Sequence, residues 1–412
     1  MTNTAPPSWR VVAQLLIARS LREMAFGTMA IVLPLYWQKA GLSLPIIGLL
    51  FTVALLGSST LSLLLGRFAD HVGRRRVLVL ASALWVLTTP LLFHPSVAGL
   101  TIVALIGSLS PTGKEVGPFL AVEQAVLARV YAGQTRVRAY AWFNLVGYTS
   151  TAVGALLAGM LGWLGGTEGT MGAFHLVIVV YGGVGLAQLI LYARLPAAIE
   201  VPMREHPSHA RLSSASVPSL RVRRMVYKLS GLFALDALGA GFVVQGLLVA
   251  WFHSRFGLNL VQLGGVFFGT NLLSGLSSLV AVRLAQRFGL LNTMVFTHLP
   301  SNLLLILVPL MPTAALAVTL LWLRHLLSQM DVPTRQAYTM AMVHPNDRTY
   351  MAFWTNGVRH YGTAVAPLLS GSLLALPFIG LPFFIAGGLK IVYDLTLYGI
   401  FRRIPLEHTD ER

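Results

Sequence analysis

Between two long apolar runs the chain reads Gly66-Arg67-Phe68-Ala69-Asp70-His71-Val72-Gly73-Arg74-Arg75-Arg76. The apolar runs are residues 46–65 before this stretch and residues 77–93 after it. Such a cluster of charges does not lie in lipid, because one charged side chain at the bilayer centre costs roughly 2.5–3.5 kcal/mol. The stretch therefore predicts a short solvent-side hinge between two membrane helices, in which Gly66 and Gly73 allow tight backbone turns.

The spacing Gly-x-x-Ala-Asp-x-x-Gly-Arg-Arg within this stretch resembles the signature loop between helices 2 and 3 of the major facilitator superfamily of secondary transporters. The resemblance implies twelve transmembrane helices in two six-helix halves. It also implies a gating loop that contains Gly66, Asp70, Gly73, Arg74 and Arg75. From the residues alone, a basic loop that only anchors the topology remains an alternative.

The composition is typical of an integral membrane protein. Of the 412 residues, 55% are hydrophobic and only 11% are charged, whereas soluble proteins carry about 25% charged residues. A spanning helix needs about 20 apolar residues, so the chain has room for twelve spans with short loops. We predict an all-α membrane fold with spans at residues 11–38, 44–65, 77–93, 97–130, 139–164, 173–192, 225–251, 258–281, 291–310, 313–343, 350–374 and 376–400.

The basic residues are distributed unequally between the two sides of these spans. Twelve spans place both termini on one side, and the opposite loops hold only Lys39 and Arg255. Cytoplasmic loops carry the excess of Lys and Arg, so both termini are predicted to be cytoplasmic in the cell membrane. Because the net charge of +16 follows this topology, it does not indicate a nucleic-acid partner.

An internal repeat divides the chain. Residues 124–125 (Gln-Ala) recur at 336–337, and residues 151–153 (Thr-Ala-Val) recur at 363–365. Residues 283–289 are a weaker copy of the signature stretch, in which Gln286 replaces the acid. Repeated halves are typical of secondary transporters. We predict a first half at 1–193, a basic cytoplasmic linker at 194–224 and a second half at 225–412.

Several predicted spans contain charges, and intramembrane charges almost always face protein or water. The resemblance implies that helices 1, 4, 7 and 10 line a central cavity, and four of the six charged spans are those helices. We predict that a substrate and proton cavity is lined by Arg19, Arg22, Glu23, Lys114, Glu115, Glu123, Asp236, Asp331, Arg335 and Arg359.

The spacing of these charges predicts partners. Arg19 and Glu23 are four residues apart, as are Asp331 and Arg335, so each pair shares a helix face and can neutralise itself. In the repeat, Glu123 occupies the position of Arg335, and we expect the two to face each other across the cavity as a binding element or a gate.

Other residues in the spans carry simpler interpretations. Lys390 and Asp394 are four residues apart and are expected to pair with each other, outside the site. Arg324, like Arg22, has the alternative of reaching a membrane interface with its long side chain. Pro111 and Pro118 are predicted to break the fourth span near Lys114 and Glu115 and to free backbone carbonyls.

These residues predict a secondary active transporter that moves a small solute by alternating access, coupled to protons through Glu115, Glu123, Asp236 or Asp331. Several guanidinium groups favour a polar or anionic solute. The alternatives are a proton-coupled exporter of hydrophobic or cationic compounds, of the multidrug type, and a receptor or scaffold that transports nothing. We expect a monomer in contact with membrane lipids, with no cofactor, no metal and no enzymatic activity.

Overall fold

The computed structural model describes residues 9–106, 108–114, 117–131, 133–164, 170–196, 199, 219–344, 347–378 and 380–403. Every regular element among these residues is helical. The α-helices are α1 (Trp9–Lys39), α2 (Leu44–Val72), α3 (Arg74–Thr88), α4 (Val97–Leu105), α5 (Pro118–Val130), α6 (Gly133–Leu164), α7 (Met171–Ala193), α8 (Leu220–Phe242), α9 (Gln245–Phe256), α10 (Leu260–Phe288), α11 (Leu290–Leu307), α12 (Ala314–Ser328), α13 (Asp331–Ala341), α14 (Arg348–Leu374) and α15 (Leu381–Phe401).

The chain forms two compact units. Unit 1 comprises Met1–Pro207 and Gln245–Phe268, and unit 2 comprises Ser208–Val244 and Gly269–Arg412. Helix α9 therefore belongs to unit 1, where the N–H of Gly246 donates a hydrogen bond of 2.9 Å to the carbonyl of Pro111. The division into halves at residues 194–224 stays a prediction, and most of that linker lies outside the described residues.

Eight stretches among the described residues are long and apolar enough to cross a membrane: Leu44–Leu65, Arg74–Leu92, Trp142–Met160, Met171–Ala193, Leu220–Phe256, Leu260–Phe288, Leu290–Leu310 and Leu381–Phe401. The predicted spans 1, 4, 10 and 11 are missing from this set. Helices α1 and α14 carry the charges Arg22 and Arg359, which lower their hydropathy, and spans 4 and 10 are each divided into two short helices.

The break in the fourth span confirms the role predicted for its prolines. Helix α4 ends at Leu105, and α5 begins at Pro118, where a proline is tolerated because the first helical N–H has no partner. Between them Gly113 adopts a φ of +70°. The carbonyl of Pro111 is free of helical bonds and accepts the hydrogen bond from Gly246.

Two other predicted spans are also divided into two helices. The seventh span is interrupted at residues 243–244, between α8 and α9, and the tenth at residues 329–330, between α12 and α13. Pro333 lacks the N–H that would bond to the carbonyl of Gln329, and that carbonyl instead accepts from the N–H of Val332 at 3.4 Å. The tenth-span break lies directly before Asp331.

The signature stretch is less of a loop than predicted. Helix α2 continues to Val72 and α3 starts at Arg74, so Gly73 alone interrupts the helices. Its φ of +106° confirms the predicted need for glycine there. Gly66 lies inside α2, and the tight turn predicted at that residue is wrong. The side chains of residues 66–71, including Asp70, lie outside the described residues.

Small residues bring two helix pairs into close contact. In unit 1, a side chain on Gly154 of α6 would clash with the backbone of Met24 in α1. In unit 2, a side chain on Gly241 of α8 would clash with the backbone of Thr363 in α14. Small residues allow membrane helices to approach closely. At these contacts α1 and α8 pack into the interior of their units, where Arg22 and Asp236 are buried.

Candidate solute site

A buried ion pair joins α1 to α5 in unit 1. The guanidinium of Arg22 forms a fork on Glu123, with Nη2–Oε2 and Nη1–Oε1 distances of 2.7 and 3.2 Å, and both side chains are fully buried. The hydroxyl of Tyr192 donates to Glu123 at 2.7 Å and accepts from Arg22 at 2.6 Å. Gln188 accepts a further bond from Arg22 at 3.2 Å. The interface position considered for Arg22 is therefore wrong.

The predicted pair of Arg19 and Glu23 is confirmed. Their side chains lie 3.2 Å apart, and Thr151 of α6 donates to Glu23 at 3.3 Å. Arg19 Nε donates to the carbonyl of Phe143 at 3.1 Å, and its guanidinium lies 3.9 Å from the centre of the Phe143 ring. With Arg22 and Glu123, these residues form the unit 1 charge cluster, in which two cations match two carboxylates.

Lys114 lies in the irregular segment between α4 and α5. Its ammonium group is 4.2 Å from the centre of the Tyr148 ring, a cation–π contact that suits a partly desolvated cation. Glu115, the neighbouring acid of the predicted cavity, lies outside the described residues.

Asp236 of α8 is the centre of the unit 2 charge cluster. Its carboxylate accepts from Lys390 at 2.5 Å and from Arg359 at 2.6 Å, and Arg335 Nη1 lies 3.5 Å away. His298 Nε2 lies 3.8 Å away. The site brings together residues from five helices, α8, α11, α13, α14 and α15.

The predicted pair of Asp331 and Arg335 is also confirmed, with an Nη1–Oδ1 distance of 2.9 Å within the first turn of α13. Arg335 has its carboxylate partners inside unit 2, and Glu123 has its guanidinium partner inside unit 1. Each charge is therefore neutralised within its own unit, and the expected placement of Glu123 opposite Arg335 stays a prediction.

The predicted pair of Lys390 and Asp394 is wrong. Lys390 reaches Asp236, and Asp394 instead accepts hydrogen bonds from His298 and Asn302 of α11, both at 2.9 Å. Sequence reasoning missed His298 and Asn302 altogether. The two charges of the twelfth predicted span, Lys390 and Asp394, indicated buried partners in this region. Because the two residues are four positions apart, pairing with each other was enough to explain them.

Arg324 of α12 is a cation of unit 2 that has no carboxylate within 4.0 Å among the described residues. It is 8% exposed, and its Nη1 lies 3.2 Å from Nε2 of the His325 ring. Its Nε has no hydrogen-bond partner, and neither does the hydroxyl of Ser328 one turn further along the same helix. The interface position considered for Arg324 is wrong, because the side chain is buried inside unit 2.

The charges of the unit 2 cluster do not balance. Among the described residues it contains the cations Arg324, Arg335, Arg359 and Lys390 and the carboxylates Asp236, Asp331 and Asp394. With neutral histidines, one positive charge is left over. Such an excess inside a protein favours an added anion, because an unpaired buried charge is expensive.

Residues 15–328 of the chain match the family model described as Major Facilitator Superfamily. The chain belongs to the major facilitator superfamily. It is also 27% identical over 411 residues to an uncharacterized membrane protein of Saccharomyces cerevisiae, YJR124C, with 92% of each chain covered.

Solved structures share the fold at low identity. The nucleoside transporter NupG is 15% identical with a TM-score of 0.70, over 95% of this chain and 99% of its own. A bacterial homologue of the iron transporter ferroportin is 13% identical with a TM-score of 0.73, over 95% and 98%. The xylose transporter XylE from E. coli is 12% identical with a TM-score of 0.69, over 95% and 99%.

Superfamily membership makes this chain a multi-pass membrane protein and indicates a transporter of a small solute rather than an enzyme. The twelve-span, all-helical architecture expected from the sequence agrees with this family.

Proposed function

We propose that this chain is a secondary active transporter for a small solute with an anionic or polar group, and that the unit 2 charge cluster binds that group. The observation that carries the proposal is Arg324, a buried guanidinium with no carboxylate within 4.0 Å among the described residues. A guanidinium presents several donors in a planar fork that matches a carboxylate or phosphate. The solute anion then supplies the charge that the cluster lacks.

Proton coupling is proposed to involve Asp394 and His298. Of the predicted coupling acids, Glu123, Asp236 and Asp331 each contact an arginine, and Glu115 lies outside the described residues. Asp394 is bonded to His298 and Asn302, neither of which carries a permanent charge. Protonation of Asp394 makes the cluster one unit more positive and does not require an ion pair with an arginine or lysine to be broken. The added positive charge raises the cluster's affinity for an anion.

The family implies alternating access, and the arginine distribution supports cytoplasmic termini in the cell membrane. Within the gating loop, Arg75 donates a hydrogen bond to the carbonyl of Ala193 at the end of α7. We propose that Gly73, Arg74 and Arg75, together with Gly66 and Asp70, form a latch that holds one closed state.

A thermal-shift screen of the detergent-purified protein tests the proposed solute class. Anionic, cationic and neutral solutes are compared at two pH values, because a ligand that binds the folded state raises its melting temperature by mass action. We expect anions to stabilise the wild type, Arg324→Gln to abolish the effect, and the control Arg255→Gln, which removes an exposed guanidinium, to retain it.

Two outcomes would contradict the proposal. If anions stabilise Arg324→Gln as strongly as the wild type, the anion does not bind at this cluster. If only hydrophobic cations stabilise the protein, the multidrug-type exporter replaces the anion transporter.

A further inference from the structure

A cavity in unit 2 is lined by none of the residues of the charge cluster, although Tyr338 in its wall lies one helical turn after Arg335 on α13. It has a volume of about 540 Å³ and lies at the start of α11, where Leu290 and Leu291 form the first turn. Tyr338 of α13 and Tyr398 of α15 line it, and Arg402 and Arg403 follow directly after α15. Its volume is many times the roughly 30 Å³ of one water molecule, so it can hold a polar group of considerable size.

The start of α11 has unsatisfied hydrogen-bond donors. Gly289 precedes the helix with a φ of +85° and provides no side-chain cap, and the first helical bond runs from Thr293 to Gly289. The N–H groups of the first turn therefore point out of the helix without an intrahelical acceptor. A helix N-terminus also carries a partial positive charge and suits a bound anion.

The surrounding charges are positive as well. Arg402 and Arg403 have no carboxylate within 4.0 Å among the residues that the structure describes, and no acidic side chain of the described part lines the cavity. The guanidinium groups of Arg402 and Arg403 and the N-terminus of α11 therefore line the same cavity, and no acidic side chain of the described residues lines it with them.

A buried hydroxyl is an independent sign of a missing partner. Tyr338 is 2% exposed, and its hydroxyl has no hydrogen-bond partner. A buried, unpaired polar group is destabilising by about 1–3 kcal/mol. An oxygen-rich ligand in the cavity offers this hydroxyl an acceptor.

The related region of unit 1 is built differently. There, arginines occupy the start of α3, and Arg75 donates to the carbonyl of Ala193 at the end of α7. In unit 2, the helix that follows the weaker copy of the signature stretch starts with Leu290, and the arginines stand at the end of α15 instead. Among the described residues of unit 2, no corresponding hydrogen bond joins the start of α11 to the end of α15.

We propose that this cavity binds the phosphate headgroup of an anionic phospholipid. The arginine distribution places these helix ends on the cytoplasmic side, where anionic lipids attract basic residues. The side chain of Phe288, which lines the cavity, is 53% exposed and offers an apolar contact for the acyl chains. The proposal does not depend on which solute is transported.

The test measures the melting temperature of the full-length purified protein with short-chain phosphatidylglycerol, phosphatidylcholine or inorganic phosphate. Phosphatidylglycerol is expected to stabilise the wild type most. Each arginine near an anionic surface contributes about a fivefold gain in affinity, so Arg402→Gln with Arg403→Gln is expected to weaken binding about thirtyfold. Arg76→Gln with Arg283→Gln removes the same charge from exposed positions and is expected to bind as the wild type does.

Tyr338→Phe provides a test that preserves packing. It is expected to weaken lipid binding while leaving the lipid-free protein at least as stable as the wild type, because it removes an unpaired hydroxyl. Unchanged binding by the double arginine variant or by Tyr338→Phe would overturn the site. Equal stabilisation by inorganic phosphate would assign it to free phosphate instead of lipid.

The acidic residues after Arg403 are tested as an alternative occupant. The variant Glu407→Gln, Asp410→Asn, Glu411→Gln is expected to be as stable without lipid as the wild type. A lower melting temperature of this variant, together with no increase in the melting temperature of the wild type on adding lipid, would assign the cavity to the acidic residues after Arg403.

Discussion

Arg22 and Glu123 are fully buried, and their bond joins helices that are distant in the sequence. The fork geometry, the Tyr192 hydroxyl and the Gln188 amide saturate the hydrogen bonds of the pair. Breaking one partner of a buried ion pair costs about 3–5 kcal/mol, whereas replacing both by apolar residues is often neutral. The main contribution of this pair to the stability of unit 1 is therefore that each charge neutralises the other in a non-polar interior.

The prediction at this pair concerns stability. Glu123→Ala is expected to be about 3–5 kcal/mol less stable than the wild type because Arg22 loses its carboxylate. The double variant Arg22→Leu with Glu123→Leu is expected to recover most of that loss. Thermal unfolding in detergent measures both, and a double variant as unstable as the single one would show that the pair itself is required.

A second residue prediction concerns proton binding. Asp394→Asn cannot take up a proton and keeps the size of the side chain next to His298 and Asn302. The pH dependence of anion binding in the thermal-shift assay is expected to disappear in this variant. Asp331→Asn is the control, because its carboxylate bonds to Arg335. A pH dependence lost in the control and kept in Asp394→Asn would move the proton to Asp331.

Helices α1 and α6 of unit 1, and α8 and α14 of unit 2, touch through glycine. Because the backbones approach closely, the charged side chains of α1 and α8 can reach groups on the neighbouring helices. The breaks in spans 4 and 10 place Lys114 in an irregular segment and Asp331 at the first residue of α13.

Gly154→Ala tests the helix contact. The new methyl group would meet the backbone of Met24, which cannot move aside cheaply, so we expect a loss of about 1–3 kcal/mol in stability. Gly183→Ala on α7 has no atom within 4 Å of the added group and is expected to be neutral or stabilising. Equal melting temperatures of the two variants would contradict close packing of α1 on α6.

The whole molecule lacks cysteine, so single cysteines can report its orientation in the membrane. With cytoplasmic termini, Arg255→Cys is expected to react with a membrane-impermeant maleimide in intact cells. Arg283→Cys is expected to react only after the cells are permeabilised. The reverse pattern would invert the predicted topology and would move the proposed lipid site to the other leaflet.

The residue content of the chain determined its class and two of the three local pairs that were predicted. Apolar run length and arginine distribution depend only on local composition, and the pairs Arg19–Glu23 and Asp331–Arg335 lie one helical turn apart, so helix geometry alone brings them together. The turn at Gly73 was predictable for the same reason, because a positive φ is a property of that residue alone.

Only the tertiary structure decided the partners of the remaining charges. Lys390 has Asp394 one turn away, yet it bonds to Asp236, which is 154 residues distant, and Asp394 bonds to His298 on another helix. An i,i+4 neighbour is one of several partners within reach of a long side chain. The choice depends on the rotation and approach of the packed helices, since a carboxylate that several buried donors can reach at once neutralises more charge than a single neighbour does.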